Sequence, residues 1–191
     1  MRNKMKIILT VVYLLVLLAI PAFTIYQSDK VLKEGEVFRF KVRPVDPYDP
    51  FRGAYVTLNF DLSSVTVPYH AELKDREEVF FLLGKDEEGY VEIKDAVGEK
   101  PLEGAYLQSK LKYGYPYSED ETVILRVNFP FNRFFLDQED AKLAENKIRG
   151  LARKNQVYLD VSISEGKGVI KELYFGDLPV REYLDQLKEA K

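Results

Sequence analysis

The sequence predicts a mainly β or α+β domain of antiparallel sheet, with one helix inside the strand series and a short C-terminal helix. One transmembrane helix precedes it. Three observations lead there. Most of the chain after residue 35 alternates apolar and polar residues with a period of two, in runs joined by short turns. The period changes to that of a helix over residues 137–150, and again near the C-terminus. The first segment carries no charge from residue 7 to residue 28.

That first segment decides placement. Residues 7–26 are 20 uncharged residues, and at ~1.5 Å per residue they span a ~30 Å hydrocarbon core. A soluble core helix would need a polar face, and this stretch has none. A cleavable signal peptide would have a shorter apolar region of roughly 7–15 residues and a small-x-small site. The best cleavage point, after Ala22, has Ile20 three places back. The expectation is therefore an uncleaved anchor over residues 1–28, with Pro21 as a possible kink point. Arg2, Lys4 and Lys6 precede it, which predicts a cytoplasmic N-terminus in the cell membrane and residues 29–191 outside the cytoplasm.

The strands follow in order. Over residues 35–43, Phe38, Phe40 and Val42 share one face, and Arg39, Lys41 and Arg43 the other. That basic stripe reads as a solvated face or the guard of a sheet edge, with an anionic ligand as the alternative. Residues 55–62 form a second strand with Val56, Leu58, Phe60 and Leu62 inward. Residues 78–96 form a hairpin around a charged turn at 84–89, residues 104–115 a strand of weaker pattern, and residues 121–129 a strand with Val123, Leu125, Val127 and Phe129 inward. The helix over 137–150 has Asp137 as N-cap, Glu139 and Asp140 in its first turn, and Gly150 as its stop. Ala141, Ala144 and Ile148 form its apolar face. A hairpin over 156–175 turns at 165–168, and Val180, Tyr183, Leu184 and Leu187 mark the last helix.

Composition excludes several chemistries. The chain has no cysteine, so it has no disulfide and no thiol nucleophile. Subtracting the three positive charges of Arg2, Lys4 and Lys6 from the formal net charge of −3 leaves −6 for the rest, which argues against a nucleic-acid partner. His70 is the one histidine, and no phosphate loop, dinucleotide fingerprint, calcium loop or serine-hydrolase elbow is present. No cofactor, metal or catalytic residue is expected. Ser63-Ser64 and Ser109-Lys110 are the places where a serine–lysine pair would be sought, and two carboxylates ~5–9.5 Å apart across a cleft would make a glycosidase. An envelope hydrolase of either kind is the alternative to a non-catalytic module.

The stretch PVDPYDPFRGAY, residues 44–55, is the most unusual in the chain. It has a period of three, with Pro44, Pro47 and Pro50 in one row, Asp46 and Asp49 in a second, and Val45, Tyr48 and Phe51 in a third. That is the repeat of a polyproline II helix. At ~3.1 Å per residue the two aspartate Cα atoms stand ~9 Å apart, too far for both to reach one ion in straight geometry. The stretch reads as a stiff loop with an acidic edge and an aromatic edge. Arg52 would either close it by pairing with Asp46 or Asp49 or face an anionic group, and Gly53 allows a positive φ at the strand entry.

An N-terminal apolar helix followed by RPVDPYDPFRGAYVTLNFDL resembles the bacterial GDYXXLXY family of membrane-anchored proteins. Gly53, Tyr55 and Leu58 match the motif; Ala54 stands where the family has aspartate, and Phe60 where it has tyrosine. NRFFLDQEDAKLAE resembles a second family signature through Arg133, Phe134, Phe135, Ala141 and Glu145. The resemblance implies an anchored extracytoplasmic domain with no assigned activity, often associated with multi-pass membrane proteins. The resulting expectation is a single-pass binding or scaffold module acting with another membrane or envelope protein. Its candidate binding residues are Asp46, Asp49, Arg52, Gly53, Tyr55 and Arg133.

Overall fold

A computed structural model describes residues 2–43, 55–68, 73, 78–110 and 122–189. Helix α1 (Arg2–Glu34) continues through Pro21 and well past the uncharged stretch. It is long and apolar enough to cross a membrane, and the residues of its most apolar window are exposed. Gly35 then turns the chain into β1 (Glu36–Arg43).

The remaining elements follow in chain order. Strands β2 (Tyr55–Thr57) and β3 (Asn59–Phe60) lead into a 3-10 turn at Asp61–Ser63 and then β4 (Ser64–Pro68). Strands β5 (Glu78–Lys85), β6 (Val91–Val97), β7 (Tyr106–Lys110), β8 (Thr122–Arg126) and β9 (Arg133–Phe135) come next. Helix α2 (Gln138–Ala152) precedes the hairpin β10 (Val157–Ser164) and β11 (Lys167–Phe175), followed by β12 (Leu178–Pro179) and α3 (Val180–Glu189). Every ladder between these strands is antiparallel.

The main sheet has the order β12-β11-β10-β1-β3, so the first strand of the domain pairs with a strand over 100 residues later. Smaller sheets β2-β9, β4-β8 and β6-β5-β7 share its apolar core. At the centre lie four phenyl rings, Phe40, Phe60, Phe129 and Phe131. All six pairs have centroids 5.1–5.8 Å apart, mostly edge to face. Phe38, Phe40 and Val42 are buried, as alternation requires.

Three local expectations are corrected. Residues 55–62 are not one strand: β2 pairs with β9, then the chain changes partner at Leu58 and β3 pairs with β1. Val56, Leu58 and Phe60 are buried on the inward face, but Leu62 enters the 3-10 turn and is only half-buried. Helix α2 does not stop at Gly150. Ile148 and Ala152 continue its buried face, and Asn155 in the left-handed region (φ 55°) ends it. Asp137 occupies the N-cap position without a side-chain bond to the first turn; its backbone carbonyl accepts from the Ala141 N–H. The β10–β11 turn is also tighter than expected. It consists of Glu165 and Gly166, both at positive φ, while Lys167 and Gly168 already pair with Ser164 and Ile163.

The final turns of α1 pack on the outer face of this hairpin. The buried Ser162 hydroxyl donates to the Val31 carbonyl at 2.6 Å, and the Gly35 N–H donates to the same oxygen at 2.9 Å. Lys167 Nζ donates to the Gln27 side-chain carbonyl. A Cβ on Gly35 would stand 2.5 Å from both Ser162 Oγ and the Val31 carbonyl oxygen. One of these contacts lies in backbone, so Gly35→Ala must separate helix from strand. The expected cost is about 1–3 kcal/mol, read as a lowered melting temperature of the full chain in micelles. An unchanged melting temperature would show that the junction has slack.

Candidate functional site

Tyr55 and Arg133 are 78 positions apart in the chain, and the fold puts them on neighbouring strands. In the β2–β9 ladder Tyr55 faces Phe135, Val56 faces Phe134, and Thr57 faces Arg133. Val56 and Phe134 point inward and are buried. Tyr55, Thr57, Arg133 and Phe135 therefore share the outer face. The Arg133 guanidinium carbon lies 5.0 Å from the Tyr55 ring centroid, a cation–π contact across the diagonal of the ladder. Phe135 flanks the same ring with centroids 5.7 Å apart, and is itself 66% exposed. The result is a short surface row of Arg133, Tyr55 and Phe135. Among the described residues, no carboxylate comes within ion-pair distance of Arg133.

The other four candidates, Asp46, Asp49, Arg52 and Gly53, lie outside the described residues, as do Ala54 and His70. What is described is the frame on either side of the proline-rich stretch. Arg43, the last residue of β1, pairs with Asn59 in the ladder and forms an ion pair with Asp61. Tyr55 opens β2. In the chain the stretch thus falls between β1 of the main sheet and the row at Tyr55. The family motif divides between two jobs: Tyr55 is on the surface, whereas Leu58 and Phe60 are in the core. The second signature divides likewise, with Phe134 and Ala141 buried and Arg133 and Phe135 outward.

Phe135 was not singled out by its own chemistry in the sequence. A signal was nevertheless present. In a strand, two adjacent phenylalanines must point to opposite faces, so either Phe134 or Phe135 had to be exposed.

The basic stripe of β1 is internally neutralised. Arg39 makes a two-pronged bond to Asp160, Nε–Oδ1 at 2.9 Å and Nη2–Oδ2 at 3.0 Å. Lys41 pairs with Glu88 at 2.8 Å, and Arg43 with Asp61. Arg39 also lies over the Tyr158 ring at 4.0 Å and within 5.8 Å of the neighbouring Tyr174 ring, and Lys41 lies over Tyr90 at 4.1 Å. The Asp160 hydrogen bond raises the Arg39 pKa, the Glu88 hydrogen bond raises that of Lys41, and burial raises that of Tyr158. These groups hold each other and leave little for an anionic ligand. At the serine–lysine sites, Ser109 is buried and donates its hydroxyl to the Asn128 carbonyl at 3.0 Å. Its hydroxyl proton is thus directed at backbone, not at a lysine. Ser63 and Ser64 are exposed.

An antiparallel α+β domain, joined without a break to an apolar N-terminal helix and presenting an aromatic–guanidinium row, is the class that fold and site define. The chain belongs to the GDYXXLXY family: the family model, described as GDYXXLXY protein, matches residues 17–173. Neither comparison with curated proteins nor comparison with solved structures returned a match.

Proposed function

We propose that this protein is a single-pass, membrane-anchored binding or scaffold module. Its domain lies outside the cytoplasm and engages a membrane or envelope protein partner through the Tyr55–Arg133–Phe135 face and the adjoining residues 44–54. The observation that carries this reading is the row itself, with Arg133 and Phe135 exposed on either side of a half-buried Tyr55. Arginine, tyrosine and phenylalanine on a rigid ladder are the residue types that concentrate binding energy at protein interfaces. The ladder is fixed beneath by buried Val56 and Phe134, so little ordering entropy would be lost on binding.

The test is co-purification of the full chain, crosslinked in native membranes, with a multi-pass membrane protein. Arg133→Glu and Phe135→Ala are each expected to weaken the association by about 30-fold, the effect of losing a hot spot of ~2 kcal/mol. Association retained at full strength in both variants, and after deletion of residues 44–52, would remove this face from consideration. Protease shaving of intact cells tests the orientation separately, since a protected C-terminal domain would reverse it.

A further inference from the structure

The junction between α1 and the β10–β11 hairpin forms a half-open cavity of about 200 Å³. Phe23, Tyr26, Gln27, Lys30 and Val31 line it from the helix, and Ser164, Glu165 and Lys167 from the hairpin. Its position along α1 is informative. The uncharged stretch that matches the hydrocarbon core ends at Tyr26. Phe23 and Tyr26 thus lie at the interfacial level where aromatic rings concentrate, and Lys30 lies one turn further out, at headgroup height. The lining thus combines two aromatic rings of α1 with two ammonium groups, that of Lys30 and that of Lys167, which reaches the level of Gln27.

We propose that this cavity holds the phosphate of an anionic phospholipid, clasped between Lys30 of α1 and Lys167 of β11. The acyl chains run down the helix past Phe23. The cavity is smaller than the roughly 300–1,000 Å³ of ordinary ligand pockets and suits a headgroup alone. Two lysines against Glu165 leave it one positive charge, which favours an anionic over a zwitterionic lipid. Among the described residues Lys167 bonds only a neutral amide, that of Gln27, and the Lys30–Glu34 pair is loose at 3.8 Å on an exposed flank. Both cations therefore retain charge for a phosphate. The walls are set before any lipid arrives, because the Ser162 bond to Val31 holds hairpin and helix together. A second cavity of about 390 Å³ shares Lys167; there Lys110 stands opposite Glu78 in the β5–β7 ladder, so it adds no net charge beside the site.

This inference rests on α1 spanning the bilayer, but not on which side the domain faces, because the cavity meets the headgroups of whichever leaflet it adjoins. The experiment uses the full chain, delipidated in detergent, with phosphatidylglycerol as the probe and native mass spectrometry as the readout. The wild-type chain is expected to retain phosphatidylglycerol at least tenfold better than phosphatidylcholine. Lys30→Gln with Lys167→Gln should abolish that preference, Lys30→Arg with Lys167→Arg should preserve it, and Lys147→Gln on α2 should leave it unchanged. The lysines are surface groups, and an unchanged melting temperature confirms that the glutamine variant is folded. Equal retention in wild type and glutamine variant would overturn the proposal, as would a matching loss in Lys147→Gln. Displacement of the lipid by millimolar inorganic phosphate would overturn the lipid assignment in favour of free phosphate. Extraction of the chain from membranes by alkaline carbonate would defeat both this proposal and the anchor. Carbonate resistance without lipid preference would defeat this proposal alone.

Discussion

Phe40→Ala is expected to lower the stability of the domain by about 3–5 kcal/mol. Phe40 is 1% exposed, and its ring touches Phe60, Phe129 and Phe131 with centroids 5.5, 5.4 and 5.1 Å away. Truncation removes the transfer free energy of the ring and also leaves a cavity. Strands on several sides support the surrounding rings, so collapse into the void is limited and the cost belongs near the upper part of the range. A domain stable by roughly 5–15 kcal/mol would keep little margin. Urea denaturation of the full chain in micelles, followed by circular dichroism, should show a lower midpoint at an unchanged slope. Phe135→Ala provides the contrast, since that exposed ring should change stability by no more than about 0.5 kcal/mol. Equal effects of the two would mean that the aromatic cluster does not hold the core.

Arg39→Met is expected to cost about 2 kcal/mol, while Arg39→Met combined with Asp160→Leu should recover most of that loss. The reason is an asymmetry of burial. The Asp160 side chain is 11% exposed and that of Arg39 is 41% exposed. Removing the arginine alone leaves a carboxylate with little water and no guanidinium. The full penalty of a buried pair, about 3–5 kcal/mol, is discounted because solvent still reaches the Arg39 side. Removing both partners takes away the charge that needed compensation. The Arg39 pKa is raised, chiefly by the Asp160 hydrogen bond. By linkage, the stability contributed by this proton is complete below the unfolded-state value and lost only as pH rises through the higher folded-state value. That window lies above the ordinary arginine range, so the effect of Arg39→Met should be flat between pH 6 and 9 on the arginine side. A double-mutant cycle in urea checks the coupling, and strictly additive losses would refute it.

Much of the architecture was legible because period-two alternation directly reports which side chains face the core. Phe38, Phe40 and Val42 on β1, and Val157, Leu159, Val161 and Ile163 on β10, are buried as that pattern requires. Helical spacing identified Ala141, Ala144 and Ile148 on α2 and Val180 and Leu184 on α3 by the same logic. Alternation is blind to the identity of the hydrogen-bonding partner. The division of residues 55–62 between β9 and β1 left the inward pattern of Val56, Leu58 and Phe60 intact, so nothing in the pattern marked it. Gly150 misled as a helix stop because glycine is tolerated on an exposed helical surface when neighbouring residues, here Ile148 and Ala152, still gain burial.

The candidate site was legible as two separate fragments. Tyr55 stood out as part of a motif and Arg133 as part of another, but no local rule relates positions 78 apart. Register brings them together: Thr57 opposite Arg133 puts Tyr55 on the diagonal, within cation–π reach. The basic stripe of β1 was likewise visible, while its partners Asp160, Glu88 and Asp61 were not, because each comes from a different element.

By itself the sequence determined the inward faces of β1, β10, α2 and α3, the apolar helix and the family, since each depends on composition or on spacing within one segment. Tertiary structure alone decided strand order, the meeting of Tyr55 with Arg133 and Phe135, the neutralisation of Arg39, and the seating of Val31 and Gln27 on the β10–β11 hairpin. These depend on long-range pairing, where the free energy comes from burying one shared core, and a period along the chain carries no information about what lies across it.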